Sequence, residues 1–220
     1  MKSAQIQRRK LLFIIIIIGM VGKTSISTRF IQGKFIKIDL SNRTINTNCF
    51  QKRVQINDLI FNLNIWDTAG EEKYHAMAPM FYRGAQGAVV IFDVTKRETF
   101  NRATKWFDEL KNFAEETKII LVGNKIDLPN REVSNEEAAD LARKYKCSFL
   151  EVSALLGTNV NEIFNSLAIT IYKGKKRNSL DIVKENNNEN NYSYGNSRGK
   201  KLIVSNTDNL PSANRNGSCC

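Results

Sequence analysis

A chain of 220 residues suits one domain of about 170 residues, large enough to bury a sizeable core, plus a tail. At 42% hydrophobic and 25% charged it has the composition of an ordinary globular protein, and its four cysteines (Cys49, Cys147, Cys219, Cys220) show neither a disulfide framework nor zinc-ligand spacing. The formal net charge of +11 points to an anionic partner surface, either nucleic acid or the cytoplasmic face of a membrane.

The apolar run Leu11–Ile18 is only eight residues long, whereas a membrane-spanning helix needs about 20. Where a signal peptide would carry its cleavage site, Gly19-Met-Val-Gly-Lys-Thr24 follows instead. The run predicts a buried strand. A helix is predicted over Lys23–Ile31, then a hairpin of Phe50–Ile56 and Ile60–Trp66 turning at Asn57-Asp58. Strands are predicted at Ala88–Val94, Lys118–Val122 and Phe149–Val152, and helices at Phe100–Phe113, Asn135–Tyr145 and Val160–Tyr172. Ser134 with Glu136 and Glu137 makes an acidic helix start, and Trp106, Leu110 and Phe113 share helical spacing suited to the core. Cys147 reads as buried and inert. Alternation of strand and helix implies an α/β fold, a mostly parallel sheet with helices on both faces, and ligands at the carboxyl ends of its strands.

Residues 173–220 hold nine basic and four acidic side chains, and residues 178–216 hold eleven asparagines. That composition predicts a disordered basic tail. Positive charge in a tail rather than a groove favours a membrane over nucleic acid, for which neither a motif nor aromatic interleaving is present.

Four segments that follow strands carry chemistry. Gly22-Lys23-Thr24 opens a helix, where backbone amides can wrap a phosphate, Lys can meet its charge and a hydroxyl can reach Mg²⁺. A full phosphate loop would place its first Gly at position 17, which is Ile. Either Ile17 replaces that Gly and Ile18 enters the loop, or Gly19 is the first Gly and two loop residues are missing, or two codons are missing from the sequence. Taken alone, Gly-Lys-Thr is also a common chance match. Asp67-Thr68-Ala69-Gly70 places a carboxylate where it can hold Mg²⁺ and an amide where it can meet a terminal phosphate, although Asp and Gly also favour plain turns. Thr44 could add a second hydroxyl to the metal. Asn124-Lys125-Ile126-Asp127 is suited to guanine: Asp accepts the two N–H donors of its Watson–Crick edge, Asn braces the loop and the Lys stem covers the ring. Three fixed residues match by accident only roughly a few times in a hundred such chains. Ser153-Ala154 can present a backbone amide to guanine O6.

With these residues in place, residues 8–172 resemble a Rab-type small GTPase of the Ras superfamily, most strongly in Asn64–Gly70, Tyr74–Gln86 and Leu121–Leu128. Tyr74–Gln86 and Asn159–Phe164 look most like the early-endosomal branch, and Cys219-Cys220 is similar to a doubly geranylgeranylated tail. The resemblance implies the P-loop small-GTPase fold with a six-stranded sheet and five helices, residues 1–7 lying before the domain and 173–220 after it. It implies a GTP/GDP switch with switch regions near residues 34–49 and 68–80, nucleotide contacts from Gly19, Val21, Gly22, Lys23, Thr24, Ser25, Asn124, Lys125, Asp127, Ser153, Ala154 and Leu155, and Mg²⁺ on Thr24, Thr44 and Asp67. Exchange factor, GTPase-activating protein, GDP-dissociation inhibitor or escort protein, and effectors are the implied partners. The implied place is the cytoplasmic face of an intracellular membrane, the early endosome, with a cytosolic pool. Two lipids make physical sense, because one chain anchors only marginally.

The chain departs from that pattern at functional points. Beside Gly70, the usual water-orienting Gln is Glu71, whose carboxylate cannot donate the amide hydrogen bond; losing such a donor costs roughly 10²–10³ in rate. Thr44-Ile45-Asn46 replaces a Thr-Ile-Gly, and Leu155 replaces a Lys. The effector-reading aromatic triad maps to Cys49, Trp66 and Phe81, with Phe50 directed to the other face of its strand. His75, the single histidine, has a surface or packing role in the second switch.

Overall fold

The computed structural model describes residues 10–18, 21–36, 47–68, 82 and 84–189, with the backbone alone for 10–18 and 177–189. In chain order these form β1 (Lys10–Ile18), α1 (Lys23–Gln32), β2 (Asn48–Ile56), β3 (Leu59–Asp67), β4 (Gly87–Asp93), α2 (Arg97–Phe113), β5 (Lys118–Asn124), α3 (Asn135–Lys144), β6 (Ser148–Val152) and α4 (Val160–Glu189). Four of the five helices implied by the resemblance therefore lie within the described residues.

The sheet runs β2-β3-β1-β4-β5-β6. Only β2 is antiparallel, joined to β3 by a two-residue turn in which Asn57 takes φ 52°, a left-handed value that Asn tolerates. The parallel strands bury alternate residues on opposite faces. Val89 and Ile91 of β4 pack with α1 and α4, whereas Ala88, Val90 and Phe92 pack with α2 and α3. Helix α4 offers Val160, Ile163, Phe164, Leu167, Ala168 and Ile171, a 3.6-residue stripe, and Phe164 stacks on Phe30 of α1 with ring centroids 4.0 Å apart. Each such buried side chain contributes about 1.5–3 kcal/mol.

Helix α3 starts as its sequence predicts. Ser134 Oγ accepts from the Glu137 amide while the Glu137 carboxylate accepts from the Ser134 amide, a reciprocal cap.

Three expectations need correction. Helix α4 does not stop at Tyr172 but continues to Glu189, and no proline interrupts it. In α2 it is Phe107, with Ala103 and Leu110, that fills the core; Trp106 is half-buried and Phe113, the last helical residue, is exposed. Cys147 is half-buried rather than fully buried, and burial still pushes its thiol up to about 11, so at neutral pH it stays protonated. No described helix is long and apolar enough to cross a membrane.

Candidate nucleotide site

Because β1, β3, β4, β5 and β6 are parallel, their carboxyl ends share one edge of the sheet. Ile17 is level with Asp67, Asp93 with Asn124, and Asn124 with Val152. Lys23 and Thr24 after β1, Asp67 closing β3, Asn124 closing β5 and Ser153 after β6 therefore arrive at the same edge from segments far apart in sequence.

The strand register excludes one reading of the phosphate loop. Ile17 pairs with Val89 and Ile18 with Val90 as regular β1 residues, so Ile18 is not a loop residue and Ile17 does not stand in for the missing glycine. Positions 19–21 alone connect β1 to Gly22, which caps α1. Gly22 adopts φ 84°, ψ 31° as the N-cap and, lacking a side chain, makes no side-chain cap hydrogen bond; helix N-termini of this kind favour anions. A Cβ on Gly22 would be strained at that φ and would meet Asn124 Nδ2 at 3.0 Å.

Two opposite charges are buried beside this helix start. Asp67 is fully buried and Lys23 nearly so. Burial drives the Lys23 ammonium below its ordinary value, with Asp67 opposing, and drives the Asp67 carboxyl up, with Thr24 and Lys23 opposing. Thr24 lies close enough to favour the charged carboxylate, yet neither Asp67 oxygen has a well-formed hydrogen bond among the described residues. A buried carboxylate in that condition beside a threonine hydroxyl is a donor set suited to a hard divalent cation, and a buried ammonium at a helix N-terminus is suited to an anion. Thr24 and Asp67 thus lie side by side; Ser25 follows in the first turn, largely buried. Gly19, Thr44, Gly70, Glu71, His75, Phe81, Cys219 and Cys220 lie outside the described residues.

At the base end, Asn124 joins two loops. Its Nδ2 donates to the Val21 carbonyl at 3.1 Å, and its Oδ1 accepts from the Ala154 amide at 3.2 Å. Asn124 is 1% exposed, so these bonds run in a poorly solvated setting. Ser153 Oγ donates to Asp127 Oδ1 at 2.5 Å and accepts from the Leu156 amide at 3.0 Å, which orients the carboxylate expected to read guanine. The Ala154 amide expected at guanine O6 is here turned onto Asn124, an internal brace of the loop. Leu155 keeps its side chain half in solvent.

Two residues with no motif of their own also belong to this edge. Fully buried Asp93 accepts at Oδ1 from the Thr95 amide at 2.9 Å and hydroxyl at 2.7 Å, and its Oδ2 meets Lys125 Nζ at 2.6 Å as an ion pair rather than an aligned hydrogen bond. Burial raises the Asp93 carboxyl, but Lys125 and Thr95 together bring it below its ordinary value. Lys125 itself adopts a left-handed backbone conformation, φ 70°, which costs an L-residue roughly 1–2 kcal/mol. An acid ending an all-apolar strand was the available signal for Asp93. The other residue is Arg29 of α1: Nε donates to the Ala154 carbonyl at 2.9 Å, Nη1 to the Gly33 carbonyl at 3.0 Å, and Nη2 to the Leu155 carbonyl. Nothing in its sequence neighbourhood marks it.

On the adjoining edge of the sheet, Cys49 and Trp66 are cross-strand partners, and Cys49 is exposed. Phe50 packs into the core with α1 and α4, on the other face, as strand alternation predicts.

The sequence model of the Ras family matches residues 13–173. The chain is 38% identical over 212 residues to Ras-related protein Rab11A of Lotus japonicus, covering 94% of this chain and 91% of that protein. It is 40% identical over 157 residues to Ras-related protein Rab5A of Oryza sativa subsp. japonica, 70% of this chain and 76% of that one. Over 149 residues it is 42% identical to Ras-related protein Rab5 of Nicotiana tabacum, 67% and 74% of the two chains.

Proposed function

We propose that this chain, which belongs to the Ras family as a Rab-type small GTPase, is a membrane-anchored GTP/GDP switch in vesicle traffic that hydrolyses GTP slowly. The observation that carries this reading is Asn124, whose single side chain ties the helix-opening loop at Val21 to the base loop at Ala154. One buried amide thereby sets the distance between a phosphate-binding end and a guanine-binding end. Lys23 is assigned to the phosphates, and Thr24, Asp67 and Thr44 to Mg²⁺, which when bound neutralises phosphate charge. Asp127, with Ser153 orienting it, is assigned to the base.

Slow turnover follows from Glu71, whose carboxylate repels a terminal phosphate and cannot donate to it. Cys49, Trp66 and Phe81 are assigned to effectors. Cys219 and Cys220 are assigned to two geranylgeranyl groups that hold the chain on the cytoplasmic face of a membrane. The early endosome is the proposed compartment, on the strength of Tyr74–Gln86 and of the Rab5 relatives. Exchange factor, GTPase-activating protein and GDP-dissociation inhibitor or escort protein complete the cycle.

A second reading has a specific observation in its favour. Strand β1 runs through Ile18, leaving three positions before the Gly22 cap, two fewer than a full phosphate loop. On that reading the chain is a non-catalytic binding module with weakened hold on phosphates. Titrating GDP, GTP and ATP with and without Mg²⁺ separates the two. The switch requires tight, Mg²⁺-dependent binding of GDP and GTP and none of ATP; weak binding indifferent to Mg²⁺ would favour the module.

A further inference from the structure

Arg29 stands six residues after Lys23 on α1, about 9 Å along the helix axis, too far from the phosphate end to share its role. All three of its hydrogen bonds go to backbone carbonyls. Two of these, Ala154 and Leu155, belong to the loop after β6, 125 residues away in sequence for the first. The third, Gly33, ends its own helix. Gly157 closes the loop at φ 83°, and a Cβ there would lie 3.6 Å from Arg29 Nε, so the guanidinium lies against the loop where that loop turns. Trans peptide units are planar, with C=O and N–H directed oppositely. Gripping the Ala154 and Leu155 carbonyls therefore sets the direction in which the Leu155 and Leu156 amides point. The Leu156 amide is the one that donates to Ser153 Oγ, which in turn donates to Asp127.

We propose that Arg29 is a positioning residue for guanine recognition: its forked guanidinium holds the Ala154–Leu156 backbone so that the Leu155 amide meets guanine O6. The inference rests on the guanine-binding reading above. A planar fork of five donors is suited to adjacent carbonyls in a way that a lysine ammonium is not. Helix α1 carries Lys23 and Thr24 as well, and the strap therefore links the base loop to the element that holds the phosphates.

The test measures affinities of the full-length parent, R29A and R29K chains for GDP, for IDP, which keeps O6 but lacks the 2-amino group, and for 6-thio-GDP, in which sulfur replaces O6. R29A is expected to lose about tenfold affinity for GDP and IDP but less than about threefold for 6-thio-GDP, because the lost order matters only where an amide donates to O6. R29K keeps the cation and most of the stem, so it preserves the fold if R29A does not, and it is expected to show the same selective loss. Equal losses on all three nucleotides, unchanged GDP affinity in R29A, or full recovery in R29K would overturn the proposal. A parent chain that does not bind GDP removes the guanine-binding reading along with it, whereas a parent that binds GDP while R29A loses all three nucleotides equally removes only the role of Arg29.

Discussion

Asn124 shows how much one buried polar side chain can decide. Its amide has a donor and an acceptor aimed in opposite directions, and the fold places a carbonyl at one and an amide at the other. Replacing it with Ala leaves the Val21 carbonyl and the Ala154 amide buried and unpaired, so N124A is expected to lose about 2–4 kcal/mol in urea denaturation and to lose GDP binding. A loss under about 1 kcal/mol would mean that the brace is not formed in solution. Glu71 carries the opposite kind of prediction. Restoring the amide in E71Q is expected to raise single-turnover GTP hydrolysis by about 10²-fold without tightening GDP binding. An unchanged rate would place the defect in the short phosphate loop instead.

Among the elements, α3 offers the clearest account of why a helix begins where it does. Ser134 supplies the cap that satisfies a first-turn amide, and S134A is expected to lower stability by about 1 kcal/mol in thermal or urea melts. Its reciprocal partner adds a pH signature. The Arg97 guanidinium, 2.6 Å away, and the Ser134 amide hold the Glu137 carboxyl down at about 2. A carboxyl held below its unfolded value stabilises the fold above that unfolded value and loses the contribution as pH falls through the folded one. E137Q is therefore expected to melt below the parent at pH 7, with the gap narrowing below the ordinary Glu range and closing near pH 2. A gap independent of pH would assign the effect to packing. The same local logic was legible beforehand, since Ser134 and Glu137 stand three apart ahead of a periodic run. Phe113 was misread for a related reason: helical spacing marks a face, but the last turn can run past the core that the face covers. The end of α4 was not legible either, because asparagine-rich composition says little about whether a helix already nucleated by packing will continue.

At the scale of the whole molecule, the sheet gathers chemistry while the tail is assigned to location. C219S/C220S is expected to move the protein from the membrane to the soluble fraction of cells while leaving nucleotide binding intact; persistence on membranes would show that the anchor lies elsewhere. The alternation of strands and helices, the guanine-reading segment and the family were all present in the linear chain, because periodicity, capping and turn chemistry act between residues a few positions apart. Asp93, Arg29 and the register of Ile17 and Ile18 were not. The phosphate loop could be aligned two ways on paper, and only pairing with β4 committed Ile18 to the strand. Arg29 meets the base loop across 125 residues, and Lys125 meets Asp93 across a strand boundary. Contacts of that kind depend on which strands lie side by side and where their ends fall, which is decided by burial of the whole sheet rather than by neighbours in sequence. The sequence by itself determined the family and marked the segment proposed to read guanine, and the tertiary structure decided which side chains hold that loop in place.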